Sequence, residues 1–224
     1  MIRVIRGVLV GAVMMVVATP AYAQMKFEAS FLAGYTFSEG VSGEATFVPG
    51  VGTFNSIDIK SGGAYGLSFG VVASNGGEVG FTWSHQSSHL SLSGPSPTVD
   101  LGAMSIDSYH GYIGYNFMYD QKMNPYIQIG FGATDYGSVP YSLGQGGTIN
   151  GPSRFSANIA AGVKFFVNDH FGFRAGMVYT PTYLSTTAEG WWCDPYWGCY
   201  LTGDHKYSNQ FQLRGGVTFR FGGK

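Results

Sequence analysis

Eight stretches of the chain carry apolar residues at every second position. A side-chain period of two belongs to the β-strand, whose successive Cβ atoms point to opposite faces; a helix would repeat at 3.6. In the first stretch Phe27, Ala29, Phe31, Ala33, Tyr35 and Phe37 alternate with Glu28, Ser30, Leu32, Gly34 and Thr36. The same pattern returns over 65–71, 79–83, 109–117, 127–134, 155–165, 171–179 and 211–221. The chain therefore reads as all-β, built from strands with one apolar face each.

Alternation alone does not separate a soluble sandwich from a membrane barrel, because both have one-sided strands. Composition separates them. Only 11% of the 224 residues are charged and 35 are glycine, against about 25% charged and about 7% glycine in an ordinary chain. A soluble sheet needs charge on its outer face. Here the polar face is mostly Gly, Ser, Thr, Asn and Gln, while the apolar face is Phe, Tyr, Ile and Val with aromatics near segment ends. That describes a lipid-facing band with aromatic girdles around a narrow polar interior. The 45% hydrophobic content excludes polar disorder. The absence of a Gly-x-y period excludes collagen. A formal net charge of −1 without a basic block argues against a nucleic-acid partner.

Ahead of the strands, Arg3 and Arg6 precede an apolar run over 8–17, and Thr19-Pro20 breaks it before Ala21-Tyr22-Ala23. Residues 1–23 are read as a secretory signal peptide and 24–224 as the barrel domain. No other stretch approaches the ~18 apolar residues of a membrane helix, so any membrane crossing falls to strands. Connections alternate in length: 74–77, 119–124 and 168–170 are short, while 38–60, 141–151 and 186–205 are long. The 93–98 connection is itself short, but its flanking strands run past their apolar stretches. Short periplasmic turns, longer extracellular loops and an even strand number give an eight-stranded antiparallel up-and-down transmembrane β-barrel with both ends periplasmic.

Two stretches resemble a known family. Asn124-Pro125-Tyr126-Ile127-Gln128-Ile129-Gly130-Phe131-Gly132-Ala133-Thr134 is similar to a strand opening of small outer-membrane barrels. So is Ser156 to Phe166 followed by Phe171-Gly172-Phe173-Arg174. The family is the porin-like, OmpA/OmpX-type β-barrel group of Gram-negative bacteria. The resemblance implies the cell outer membrane as location, with outer-membrane lipid and the insertion machinery as partners. It implies no single activity. Gly222-Gly223-Lys224 follows Phe221, whereas the family's assembly signal usually ends on the aromatic.

An eight-stranded lumen is just wide enough to be filled by side chains or to hold one small ligand. Glu28, Glu78, Lys164, Arg174, Arg214 and Arg220 share the inward parity, and charges of both signs there predict a salt-bridged plug. An ion pathway with a basic constriction and a small bound ligand are the alternatives. His85 and His89 are four apart, roughly 13 Å along a strand, too far to share a metal ion. His85 and Ser87 face the lipid side, and Asp107 on the adjoining strand has the same parity. This trio resembles the arrangement in lipid A deacylase barrels, where a base activates a hydroxyl; the alternative is strands that have left the bilayer and carry polar residues. Gly144-Gln145-Gly146-Gly147 has no following helix to cradle phosphate.

Cys193 and Cys199 flank Pro195 and Gly198 in an exported chain and are read as a disulfide, with a metal or redox-active pair as the alternative. Around them Trp191, Trp192, Tyr196, Trp197 and Tyr200 form the candidate contact surface for an extracellular partner, or an interfacial anchor. The expected role is structural or surface interaction by a monomer with a filled lumen and displayed loops. The alternatives are a small low-conductance channel and a lipid A-modifying enzyme. No catalytic, cofactor or metal residue is assigned.

Overall fold

The computed structural model describes residues 25–48, 52–141, 147–183, 193–194, 198–199 and 207–222. In chain order the strands are β1 (Lys26–Ser38), β2 (Val41–Val48), β3 (Gly52–Ile59), β4 (Gly62–Val72), β5 (Gly77–Ser93), β6 (Val99–Asn116) and β7 (Met123–Tyr136). There follow β8 (Val139–Tyr141), β9 (Gly147–Ile149), β10 (Ser153–Phe166), β11 (Phe171–Tyr183), β12 (Cys193–Asp194), β13 (Gly198–Cys199) and β14 (Tyr207–Gly222). Each of the eight alternating stretches lies in one long strand. These pair antiparallel as β1–β4–β5–β6–β7–β10–β11–β14, and β14 returns to β1, closing the cylinder.

Register explains why the alternation is so regular. Phe31 stands between Leu67 on β4 and Val217 on β14, while Ser30 stands between Ser68 and Thr218. Odd positions thus form an outward apolar belt and even positions a polar lumen. Ile113 is 67% exposed, whereas Lys164 is fully buried. Exposed apolar side chains around a buried polar centre invert the soluble pattern and suit lipid as the outer solvent. Aromatics form two girdles. Tyr115–Phe117 and Phe171–Phe173 make edge contacts at the end with short turns. Tyr35–Phe37, Tyr65–Trp83 and Tyr183–Tyr207 do so at the other end.

The short-turn end carries both chain termini of the barrel, since Lys26 pairs with Val72 and with Gly222. Its turns are tight: between β4 and β5, Gly76 adopts a φ of +88°, a left-handed conformation in which a Cβ is strained. At the opposite end β5 and β6 run for 17 and 18 residues, well beyond the ~9–11 that cross a bilayer. The 38–60 connection, expected as a loop, is largely the hairpin β2–β3. Along β5, β4 is the partner up to Gln86, and β3 takes over from Leu90. A small sheet of β2, β3, β5 and β6 therefore stands above the membrane on one side of the barrel. Residues 1–23 and the loop aromatics Trp191, Trp192, Tyr196, Trp197 and Tyr200 lie outside the described residues.

Candidate functional site

At the short-turn end the lumen is crossed by an ionic network. In register Lys164 on β10 faces Arg174 on β11, so two cations sit side by side. Carboxylates reaching over from other walls pair with the first of them. The Lys164 ammonium donates to Glu28 Oε2 at 2.6 Å and to Glu78 Oε2 at 2.8 Å, and its side chain is fully buried. Arg220 donates to Glu28 Oε1 through Nε at 2.9 Å and Nη2 at 2.7 Å. Glu78 also accepts from the Tyr112 hydroxyl and the Asn116 amide, both at 2.9 Å. Below, the Arg220 guanidinium lies 3.5 Å from the Phe166 ring centroid and 5.1 Å from that of Tyr119. Such an arrangement holds each carboxylate with more than one donor, as burial demands.

Arg174 and Arg214 stand higher and outside that exchange. Arg174 donates to Gln128 Oε1 at 2.7 Å and to Ser68 Oγ at 3.4 Å, and its guanidinium stacks over Tyr126 at 4.3 Å. Tyr126 reaches across to a place where Gly162 and Gly176 face each other in register. A Cβ on either glycine would meet the Tyr126 hydroxyl at 2.8 or 2.6 Å. Beside them His110, Ser156, Thr134 and Ser108 form a hydrogen-bonded run at 2.8, 2.9 and 3.1 Å. Above lies a cavity of about 20 Å³ lined by Thr36, Ser84, Gln86, Ile106, Ser108, Thr180, Gln210 and Gln212. That is room for about one water, not for an organic solute.

A feature missed from the sequence covers part of the upper lumen. Ile59, Leu90, Leu101, Met104, Ile106, Tyr136 and Val139 form a buried apolar cluster on β3, β5, β6, β7 and β8. The signal was present: the apolar parity changes from odd at Val79, Phe81 and Trp83 to even at Leu90 and Leu92. Around it the extension is hydrophilic. Asp58 accepts hydroxyl hydrogen bonds from Ser56 and Ser93. The Lys60 ammonium donates to Asp100 at 3.1 Å and holds that carboxyl below its usual value.

On the outer wall, at the upper girdle, β5 and β6 place His85 opposite Asp107 and Ser87 opposite Ser105. His85 Nδ1 and Asp107 Oδ1 are 3.0 Å apart, and the Trp83 indole donates to the same oxygen at 3.1 Å. The Tyr65 ring packs on the imidazole with centroids 5.1 Å apart. The structure thus brings His85 and Asp107 together. It gives no hydrogen bond between His85 and Ser87. His89 faces Asp100 at 3.4 Å, and no group of three metal-ligating residues occurs among the described residues. In the β12–β13 ladder Cys193 and Cys199 are direct backbone partners, their side chains outside the description.

No protein-family model matches the chain, and no curated protein does. Solved structures do. The outer membrane protein OprG from Pseudomonas aeruginosa aligns over 90% of this chain and 98% of that one at 12% identity, with a TM-score of 0.62. Outer membrane protein AlkL, determined in DMPC bilayers, aligns over 92% and 94% at 12% identity, with a TM-score of 0.55. Neisserial surface protein A aligns over 88% and 97% at 14% identity, with a TM-score of 0.48. At these identities the likeness is one of fold. The chain has the fold of the small bacterial outer-membrane β-barrels, and its outward apolar belt is what that location requires.

Proposed function

We propose that this protein is a closed outer-membrane barrel that acts through its extracellular sheet and loops, in a structural or surface-interaction role. One observation carries the reading: the lumen is obstructed twice, by different chemistry. Lys164, Glu28, Glu78 and Arg220 bridge it at the periplasmic end, and the apolar cluster around Leu90 and Met104 covers part of it at the other. An ion entering from below meets a neutralised network; one entering from above meets apolar surface. Meanwhile β5 and β6, at 17 and 18 residues, run well past the length that crossing requires, as a binding platform would. Planar-bilayer recording of the full mature barrel tests this. The expected trace has no unitary steps. Stable, voltage-insensitive steps from the wild-type protein would replace this reading with the small channel.

The same proposal includes export by residues 1–23, delivery to the insertion machinery, a monomeric barrel in outer-membrane lipid, and a Cys193–Cys199 disulfide. Register supports the last, since the two residues stand opposite each other. A second reading, a lipid A-modifying enzyme, rests on the 3.0 Å contact between His85 and Asp107 at the level where acyl chains meet headgroups. Mass spectrometry of lipid A from cells expressing the wild type or Ser87→Ala decides it. Identical spectra, also identical to those of cells lacking the gene, leave the non-enzymatic reading standing.

A further inference from the structure

We propose that the turn between β6 and β7 is a lid over the periplasmic mouth of the barrel, shut by Tyr119 and strained at Met118. The proposal rests on the closed-lumen reading and says which part of that closure moves. Met118 is the one non-glycine residue with a left-handed backbone among the described residues, at a φ of +54°. An L side chain is disfavoured there because its Cβ crowds the neighbouring carbonyl oxygen. The β4–β5 turn meets the same need with a glycine, Gly76. Strain kept where a glycine would relieve it marks a segment with a second use.

The strained residue turns its neighbour inward. Met118 is 57% exposed, and Tyr119, the next residue, 8%. The phenol crosses the mouth: its ring lies 5.1 Å from the Arg220 guanidinium, and β14 stands fourth from β6 in either direction around the cylinder. The Lys26 ammonium of β1 is 5.0 Å from the same ring. Arg220 is thus enclosed between Tyr119 and Phe166, and the ring covers the ionic network from below. Closure has a second cost. The Tyr119 hydroxyl is buried with no hydrogen-bond partner among the described residues, and a buried polar group left unpaired is unfavourable.

Asn124, fully buried, is the latch. Its amide donates to the Met118 carbonyl at 2.7 Å and to the Gln121 carbonyl at 2.6 Å, and its Oδ1 accepts from Arg220 Nη2 at 3.4 Å. The ends of the lid are fixed. Phe117 N–H donates to the Pro125 carbonyl at 2.7 Å, and the Lys122 carbonyl accepts from Phe166 N–H at 2.8 Å. Residues 118–121 can therefore swing out without disturbing the strand ladder. Doing so breaks the Asn124 bonds and the ring contacts, but frees Met118 from the left-handed region and brings the hydroxyl to water. Opposing terms of this kind leave two states close in free energy, which is what a lid requires.

The test is thiol labelling of the folded full barrel in detergent, with Cys193 and Cys199 replaced by serine and one new cysteine introduced. Val72→Cys sets the probe just inside the mouth, since Val72 is fully buried and stands in register with Lys26 and Glu78. A small methanethiosulfonate reagent should label it slowly. Tyr119→Ala should raise that rate several-fold, and Tyr119→Phe, which keeps the ring, should leave it unchanged. Met118→Gly removes the strain and keeps the ring, so it should lower the rate several-fold; it decides the matter if Tyr119→Ala does not fold. An equal rate in Tyr119→Ala, or a rate in Met118→Gly no lower than in the parent, would overturn the lid. Ser68→Cys distinguishes this from failure of the closed lumen. Ser68 lies four positions further into the barrel along β4, buried and hydrogen-bonded to the Tyr112 hydroxyl at 3.2 Å. It should stay unlabelled in every variant, because the ionic network lies between. Labelling there as fast as at Val72→Cys would remove the closed lumen itself, whichever way the Tyr119 comparison falls.

Discussion

Lys164→Met removes one positive charge from the short-turn end of the lumen with little change in side-chain volume. The ammonium is shared by Glu28 and Glu78 at 2.6 and 2.8 Å, so its loss strips an ionic partner from both carboxylates together. They do not suffer equally. Glu28 keeps the two-pronged contact with Arg220, whereas Glu78 keeps only the neutral donors Tyr112 and Asn116. The penalty therefore falls mainly on Glu78. Removing one partner of a buried ion pair costs about 3–5 kcal/mol, most of it from the charge left behind. Lys164→Met should lose that much in urea unfolding followed by tryptophan fluorescence in lipid vesicles. If the stranded charge is the cause, removing it helps: Lys164→Met/Glu78→Gln should be more stable than Lys164→Met alone, a coupling that a double-mutant cycle isolates. A loss of about 1 kcal/mol or less, as for an exposed pair, together with no rescue in the double variant, would refute the idea that this network is dry and interdependent.

Further outcomes follow from the same geometry. Ile129 is outward and mid-strand, so Ile129→Arg should cost roughly 2–4 kcal/mol if it lies at the bilayer midplane, while Ile129→Val stays near wild type in the same refolding assay. Gly162→Ala would set a Cβ 2.2 Å from the Ala175 carbonyl oxygen and 2.8 Å from the Tyr126 hydroxyl; overpacking of this kind costs about 1–3 kcal/mol, read as a lower melting midpoint on heat-shift gels. Asp107→Asn should cost no more than about 1 kcal/mol, because the His85 contact is partly open to its surroundings. Thiol labelling of oxidised protein on intact cells should leave Cys193 and Cys199 unmodified; two reactive thiols would remove the disulfide.

What could be read in the sequence follows from how far a contact lies along the hydrogen-bonded ladder. Parity alone sorts Glu28, Ser30, Lys164 and Arg174 to one face and Phe31, Ile129 and Phe131 to the other, because a strand offers only two. A neighbour one strand away is nearly as legible. His85 and Asp107 share a parity on adjoining strands, and register sets them opposite each other. Contacts across the lumen are a different matter. Glu28 and Lys164 are 136 positions apart on strands that never pair, and their meeting depends on tilt and stagger around the whole cylinder. Hence the sequence could suggest a charged plug but not that Lys164 is its hub, nor that Arg174 and Arg214 stand outside it. The β2–β3 hairpin escaped for another reason: a register shift between Ser42 and Thr46 breaks the period.

The change of parity within β5 ties these levels together. Along a single unbroken strand, Val79 and Phe81 point outward into lipid, and a few residues later Leu90 points inward into a closed cluster. The backbone does not reverse between them; register with β6 continues from Glu78↔Gly114 to Leu90↔Gly102, and shifts only at Ser91. What changes is the solvent outside. In the bilayer the apolar side chain belongs on the outer wall, and the polar one must be satisfied within. Above the bilayer, water takes the outer wall, and apolar groups gain by turning inward. One strand thus records the membrane boundary in its own sequence, between Trp83 and Leu90, where His85, Gln86, Ser87, Ser88 and His89 fill both faces with polar groups. The same switch builds the apolar cover over the lumen, so the residues that end the membrane span are also those that narrow the passage. A substitution that lengthens the lipid-facing phase, such as Ser87→Leu with His89→Leu, should draw the rim deeper into the bilayer. Tryptophan quenching by brominated lipids would detect this at Trp83 as a change in depth. Unchanged quenching would mean that the boundary is set elsewhere in the barrel.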